Sequence, residues 1–227
     1  MPSLARAREQ ANMVKCLSNL RQLAGSFVMY ANENGGRLPS AGAKVSGVPE
    51  DSAAWAYWDA PRKFEESPFA PYVGGFKTLT ALQCPSDDVT NRPKAQPVGP
   101  FPLSYVYNRF FTQDWKAYGF TGGVSKMGQV RNSSRKVMVV EEDERTIDDG
   151  RWEPHLGNYP AEYGGSGTNL LSVRHDRLRK EPDVPNLAGW SWVPNPDRRG
   201  NAAFADGHAE YTPRNVVHDK NSFDPKL

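Results

Sequence analysis

Residues 2–39 read PSLARAREQANMVKCLSNLRQLAGSFVMYANENGGRLP, and this stretch decides the architecture. Val14, Leu17, Leu20, Ala24, Phe27 and Ala31 follow one another at steps of three and four, which makes one apolar stripe along an α-helix. Arg6, Arg8, Glu9, Lys15, Asn19, Arg21 and Gln22 fall on the other face and are expected to meet water or a partner. Gly35, Gly36 and Pro39 are stop signals, so the helix should end near residues 32–35. Its start is less marked. Pro2 and Ser3 suit a first turn, yet the Ala/Arg-rich segment before Val14 forms a good helix without burying much.

A chain of 227 residues can bury one sizeable core, or one core with a small appendage. Lys and Arg number 28 against 26 Asp and Glu, for a net charge of +2, and no basic block exists, so nucleic acid is not an expected partner. The 20 glycines and 19 prolines imply long loops, and an aromatic content of 11% argues against disorder. No apolar run approaches the ~20 residues that span a bilayer, and no cleavable signal peptide is recognisable. The expectation is a soluble globular domain. Cys16 lies on the first helix and Cys84 in the loop LQCPSDD. Two cysteines fit either a buried free pair or one disulfide, and both readings stay open at this point.

Further along, residues 36–50 are rich in Pro and Gly, and 52–64 suit a short helix. SYVYNRFF (104–111) alternates and is aromatic, Lys136 to Val140 is the best strand in the chain, and GTNLLSVRH (167–175) is a third strand candidate. Residues 176–199 read as an excursion. In NAAFADGHAEYTP (201–213) two alternating runs flank Asp206-Gly207, the pair preferred by a type I′ turn, which predicts a C-terminal β-hairpin. The expected fold is α+β, a long N-terminal helix lying across an antiparallel sheet with long loops.

Few residues announce chemistry. Asp206 and His208, with His175 arriving from elsewhere, have the types of a metal site, although Asp206 also suits the turn. Glu141, Glu142, Asp143 and Glu144, followed by Asp148 and Asp149, have the composition of a calcium site without its alternation, so a solvated face is the first expectation and calcium the alternative. There is no GxSxG, P-loop or GxGxxG, no Cys beside a plausible His, and Ser166 in GGSGTN reads as loop. Trp190 and Trp192 could stack on a sugar or anchor a loop.

The opening stretch resembles the start of pilin-like proteins that carry a prepilin-type N-terminus and a C-terminal signature of His, nine residues, then Asp-Gly. Pro2, Leu4, Ala7 and Arg8 match its first segment. Cys16, Asn19, Leu20 and Gln22 match its Cys-x-x-Asn-Leu-Lys-Gln, with Arg21 where Lys is usual, and Tyr30, Asn34, Gly35 and Pro39 match the helix exit. Cys84-Pro85-Ser86-Asp87 is similar to the family's Cys-Pro-Ser-Asp loop, and Ser104 to Asn108 to its Ser-Tyr-x-Tyr-Asn strand. Arg174-His175 and the later Asn201, Phe204, Asp206, Gly207 and His208 resemble its C-terminal motifs. Residues 40–76, 112–135 and 145–166 carry no motif. The interval from His175 to Asp206 is far longer than nine residues, as though DRLRKEPDVPNLAGWSWVPNPD were an insertion.

The resemblance implies a single pilin-like unit, with residues 1–35 as the C-terminal half of the pilin helix and 36–227 as the globular part. An apolar half-helix preceding Pro2 would anchor it in the inner membrane. The partners implied are other pilin-like subunits, met through the helix, and a secretion or pilus assembly machinery. The implied role is structural, without enzymatic activity or cofactor, on the periplasmic or extracellular face of the cell envelope. In that oxidising space the resemblance favours a Cys16–Cys84 disulfide. The alternative class is an envelope carbohydrate-binding module using Trp190 and Trp192.

Overall fold

The computed structural model describes residues 2–42, 53–58, 62–74, 82–92, 101–112, 123–154, 169–176, 184–185, 192–193 and 195–227. Helix α1 runs Pro2–Glu33. It stops where expected, because Gly35 and Gly36 take the left-handed backbone at φ 64° and 80° and the Gly36 N–H turns back to the Ala31 carbonyl at 2.7 Å. Only the half from Cys16 onward is buried. Leu20, Leu23, Ala24, Phe27, Tyr30 and Ala31 face the core, whereas Val14 is 56% exposed. The buried face is therefore turned slightly from the apolar stripe read in the sequence: it takes in Cys16 and Asn19, whose amide donates to the Tyr105 hydroxyl at 3.1 Å.

The main sheet contains β1 (Tyr105–Asn108), β2 (Val137–Glu141), β3 (Arg151–Trp152), β6 (Arg199–Phe204) and β7 (Ala209–Pro213) in the order β3-β1-β2-β6-β7. Three pairings are antiparallel, but β3 lies parallel to β1. The sheet is thus mixed, not purely antiparallel as expected. The cause is the route of residues 142–150, which leave β2 and deliver β3 to the far side of β1. Both β1 and β2 are buried at every position, which is why VMVV (137–140) reads as a continuous apolar run and not as an alternation. Helix α1 crosses β2, β6 and β7. Between helix and sheet, Phe27 stacks on Tyr107 at 4.2 Å and meets Phe69 at 4.3 Å. One hydrophobic cluster extends from Cys16 to Phe223.

Several local expectations change. The helix expected over 52–64 is absent from the described part of that range. Trp55 is instead fully buried and donates its indole N–H to the Gly150 carbonyl at 3.0 Å, and short helical turns follow at Phe64–Glu66 and Ala70–Tyr72. Of the strand expected at 167–175, Leu171 keeps a single bridge to Glu142 before the chain turns at Arg174 and His175, while 167 and 168 lie outside the described residues. The C-terminal hairpin is present with a different turn. Gly207 alone has positive φ, 95°, and its N–H reaches the Phe204 carbonyl at 2.9 Å. A type I′ turn needs positive φ at both central residues, so this is a three-residue loop with Gly207 in the left-handed place. Within 176–199, β4 (Val184–Pro185) pairs antiparallel with β5 (Trp192–Val193). Helices α2 (Arg214–Val217) and α3 (Lys220–Phe223) close the chain.

Gly200 is required by close approach. A Cβ there would overlap the Ser172 carbonyl oxygen and come within 2.8 Å of Leu171 Cγ. Backbone cannot yield as a flexible side chain does, so Gly200→Ala should destabilise by about 3 kcal/mol in urea unfolding. An unchanged midpoint would show that β6 has slack against residues 171–172.

His218 is held neutral by its two neighbours. Its Nδ1–H donates to the Pro154 carbonyl at 2.5 Å, and Nε2 accepts the Leu171 N–H at 3.2 Å. Burial lowers its pKa to about 4, with the Arg214 charge adding to the effect and the Pro154 bond opposing it. Because the unfolded chain binds that proton near pH 6.5, this contribution is intact above pH 7. It falls as pH drops through 6.5 towards 4, by about 3 kcal/mol in full. Urea unfolding at pH 7, 6 and 5 should show the loss in the wild type and a flatter profile in His218→Gln. Parallel profiles would refute the assignment.

Candidate functional site

The most concentrated chemistry lies where α1 meets the end of β2. Glu9, Asn12 and Cys16 are spaced three and four apart and share one side of α1. Residues 84–87 form a turn opposite them, closed by the Asp87 N–H on the Cys84 carbonyl at 2.9 Å, with Pro85 in the place where its fixed φ suits such a turn. The Cys84 N–H is tied to Ser104 Oγ at 2.8 Å, next to β1. Glu141 ends β2, and the turn at Arg174 and His175 crosses above it.

Four side chains converge there. Cys16 Sγ and Cys84 Sγ are 2.7 Å apart as free thiols, and Cys84 Sγ is 3.3 Å from His175 Nε2. The same imidazole nitrogen is 3.4 Å from Glu141 Oε2. One ligand-type atom from each residue lies within 4.8 Å of all the others, and none of the four residues is more than 3% exposed. Around them stands a second layer. Glu9 Oε1 meets His175 Nδ1 at 2.6 Å, Asn201 donates to Glu141 Oε2 at 3.0 Å, and the Ser86 N–H points at Cys84 Sγ at 3.4 Å. Ser86 Oγ also donates to the other Glu9 oxygen at 2.8 Å. Glu141 Oε1 accepts no hydrogen bond, and its nearest charge is Arg174 Nη1 at 3.3 Å.

The electrostatics follow from burial with close partners. Burial opposes the charged imidazole of His175, but the hydrogen bonds to Cys84 and Glu141 and the Glu141 charge outweigh it and raise its pKa to about 10. Burial likewise works against ionised Glu141, and His175 with Arg174 reverses the balance to hold it low. The hydrogen bond with Cys16, followed by burial, pushes the Cys84 thiol up. A nucleophilic cysteine needs exposure and a lowered pKa; Cys84 has neither. Asp87 lies between two guanidiniums, paired with Arg92 and 2.6 Å from Arg174.

The residues marked in the sequence separate into two places. Arg174, His175 and Asn201 gather around Glu141, with Cys16 and Cys84. Asp206 and His208 sit at the hairpin tip, bonded to each other at 2.6 Å, and neither joins the group around His175. Phe204 stacks on His208 at 4.3 Å, and Gly207 makes the turn. Trp190 lies outside the described residues, and the backbone of Trp192 belongs to β5. The acidic run is not the solvated face expected of it: Glu141, Glu142, Asp143 and Asp149 are buried, with only Glu144 and Asp148 exposed. Asp143 takes two bonds of 2.7 Å from Arg145 and one of 3.1 Å from Arg214. Glu142 Oε1 accepts from Thr146 and Asn169, yet burial holds its pKa well above the usual carboxylate range. In the sequence Glu9 reads only as part of the polar helix face, Glu141 only as part of the acidic run and Asp87 only within the Cys-Pro-Ser-Asp loop; nothing local joins them to His175, because their partners come from distant segments.

Comparison with protein-family models, curated proteins and solved structures gives no match. Among the described residues, no helix is long and apolar enough to cross a membrane.

Proposed function

We propose that this chain is a non-enzymatic, pilin-like structural subunit of an envelope assembly of the type II secretion or type IV pilus kind, acting by packing. The observation that supports this reading is the division of α1. From Cys16 to Ala31 the helix is part of the core, whereas Ser3 to Arg8 are exposed, with Leu4 at 76%. An exposed helical half continuous with a buried half suits a subunit that joins its neighbours through helices while its sheet and loops face outward. The match of Pro2, Leu4, Ala7 and Arg8 to the family's first segment points the same way. The proposed location is the periplasmic or extracellular side of the inner membrane, with an apolar helix ahead of Pro2 as the anchor.

The test is made on protein from its native cells. Mass spectrometry of the mature N-terminus should find an apolar stretch of roughly 20 residues before Pro2, beginning with an N-methylated residue. A photo-crosslinking residue at Leu4 should capture other helical subunits, and one at exposed Glu210 should not. A mature chain that begins at Met1 and stays monomeric in the cross-linking experiment would overturn the proposal.

A further inference from the structure

We infer that Cys16, Cys84, Glu141 and His175 form a structural zinc site that clasps α1 to the sheet. The inference is independent of the pilin-like reading, because it rests only on the geometry of the cluster.

The donor set is that of a borderline-soft divalent ion: two sulfurs, one imidazole nitrogen and one carboxylate. A tetrahedron with zinc bond lengths has edges of roughly 3.3–3.8 Å. The His175–Cys84 and His175–Glu141 separations, 3.3 and 3.4 Å, fit that frame. The sulfurs, 2.7 Å apart, must open by about 1 Å, which is within the reach of a cysteine rotamer adjustment. All four donors are protein atoms and all four residues are buried, so no position is left for substrate. Such a closed set belongs to a structural centre.

The surroundings are what separate a metal site from a mere thiol pair. A disulfide needs two sulfurs; it does not need an imidazole and a carboxylate aimed at the same point. The Glu9 carboxylate on Nδ1 orients His175 so that Nε2 faces the cluster, the usual outer partner of a ligating histidine. Glu141 is fully buried, and its Oε2, 3.4 Å from His175 Nε2, is held in place by the Asn201 amide at 3.0 Å. The Ser86 N–H points at Cys84 Sγ, where it would support a thiolate. The charges also balance. Two thiolates and one carboxylate against a divalent ion leave one negative charge, and Arg174 stands 3.3 Å from Glu141 to offset it. Binding releases three protons to solvent, one from each thiol and one from Nε2 of the His175 imidazolium, and leaves the imidazole neutral.

The four ligands come from α1, the loop after residue 82, the end of β2 and the turn before the inserted excursion. The ion would therefore fix the helix at Cys16, where α1 passes from core to exposure. This gives the cluster a mechanical role.

The full chain, purified under reducing conditions without chelator or metal-affinity tag, should carry about one zinc per molecule by elemental mass spectrometry. Cobalt(II) added to the stripped protein should give intense tetrahedral thiolate absorption, and both cysteines should resist iodoacetamide until a chelator is added. A chelator should also lower the melting temperature of the wild type. Cys84→Ser should abolish cobalt absorption. If that variant fails to fold, Glu9→Gln, altered at a partly exposed position, should still bind zinc about 10–100-fold more weakly. Folded, reduced wild type that takes up neither zinc nor cobalt overturns the inference. So does a Cys16–Cys84 disulfide found throughout the protein taken from native cells, or a Glu9→Gln variant with unchanged zinc affinity.

Discussion

Asp87→Ala should cost about 4 kcal/mol of unfolding free energy, because it leaves buried charge without its counter-charge. Asp87 pairs with Arg92 and Arg174 and accepts the Ser104 hydroxyl at 2.6 Å. The two cations are affected unequally. Arg174 keeps Glu141 and Glu144. Arg92, with a fully buried side chain, keeps the carbonyls of Phe101 and Leu103 and a weak 3.5 Å contact with Ser104. Burial already lowers the Arg92 pKa, with Asp87 as the main opposing charge. The loss should thus lie mostly with Arg92, and adding Arg92→Met should recover a good part of it. Urea unfolding of both variants at pH 7 decides the matter: a single-variant loss below about 1 kcal/mol would place this pair with ordinary surface bridges.

Phe27→Ala should cost a similar amount, about 4 kcal/mol, for an unrelated reason. Its ring is fully buried between the sheet and the aromatic loop, 4.2 Å from Tyr107, 4.3 Å from Phe69 and 6.0 Å from Trp55. Truncation removes the transfer energy of the ring and leaves a cavity that stiff neighbours cannot fill. Val14→Ala is the contrast. It belongs to the same sequence stripe but is exposed, so its effect should stay within about 0.5 kcal/mol. Equal losses for the two variants would mean that the exposed half of α1 is packed in solution.

These two variants also mark what the sequence can and cannot convey. Local rules placed α1, its glycine stop, β1, β2 and the hairpin, because helix periodicity, left-handed glycines and apolar runs act over a few neighbouring residues. The same rules misplaced Asn19, a polar residue buried by one bond to Tyr105. They also gave a helix to the segment around Trp55, which a long-range bond to Gly150 holds otherwise. The parallel β3 was not legible, since a two-residue strand depends on where residues 142–150 carry it. The acidic run is the clearest case. Glu141, Glu142 and Asp143 read as solvated from composition, and only tertiary partners such as His175, Asn169 and Arg214 make them interior groups. Cys16, Cys84 and His175 were each noted, but their meeting point required Glu141 and Glu9, and no local pattern connects those positions.

The crossing of α1 over β6 and β7 has a consequence for the order of events in synthesis. The helix emerges from the ribosome well before β6 and β7, which pack against it. Until then that face has only the part of its native shelter that Trp55, Phe69, Tyr107 and β2 supply, and β2 lacks its β6 partner as well. Contacts closed over such long stretches of chain slow folding and leave apolar surface open to capture. Truncations that stop before Arg199 should remain bound to chaperones, whereas the chain extending to Leu227 should leave them.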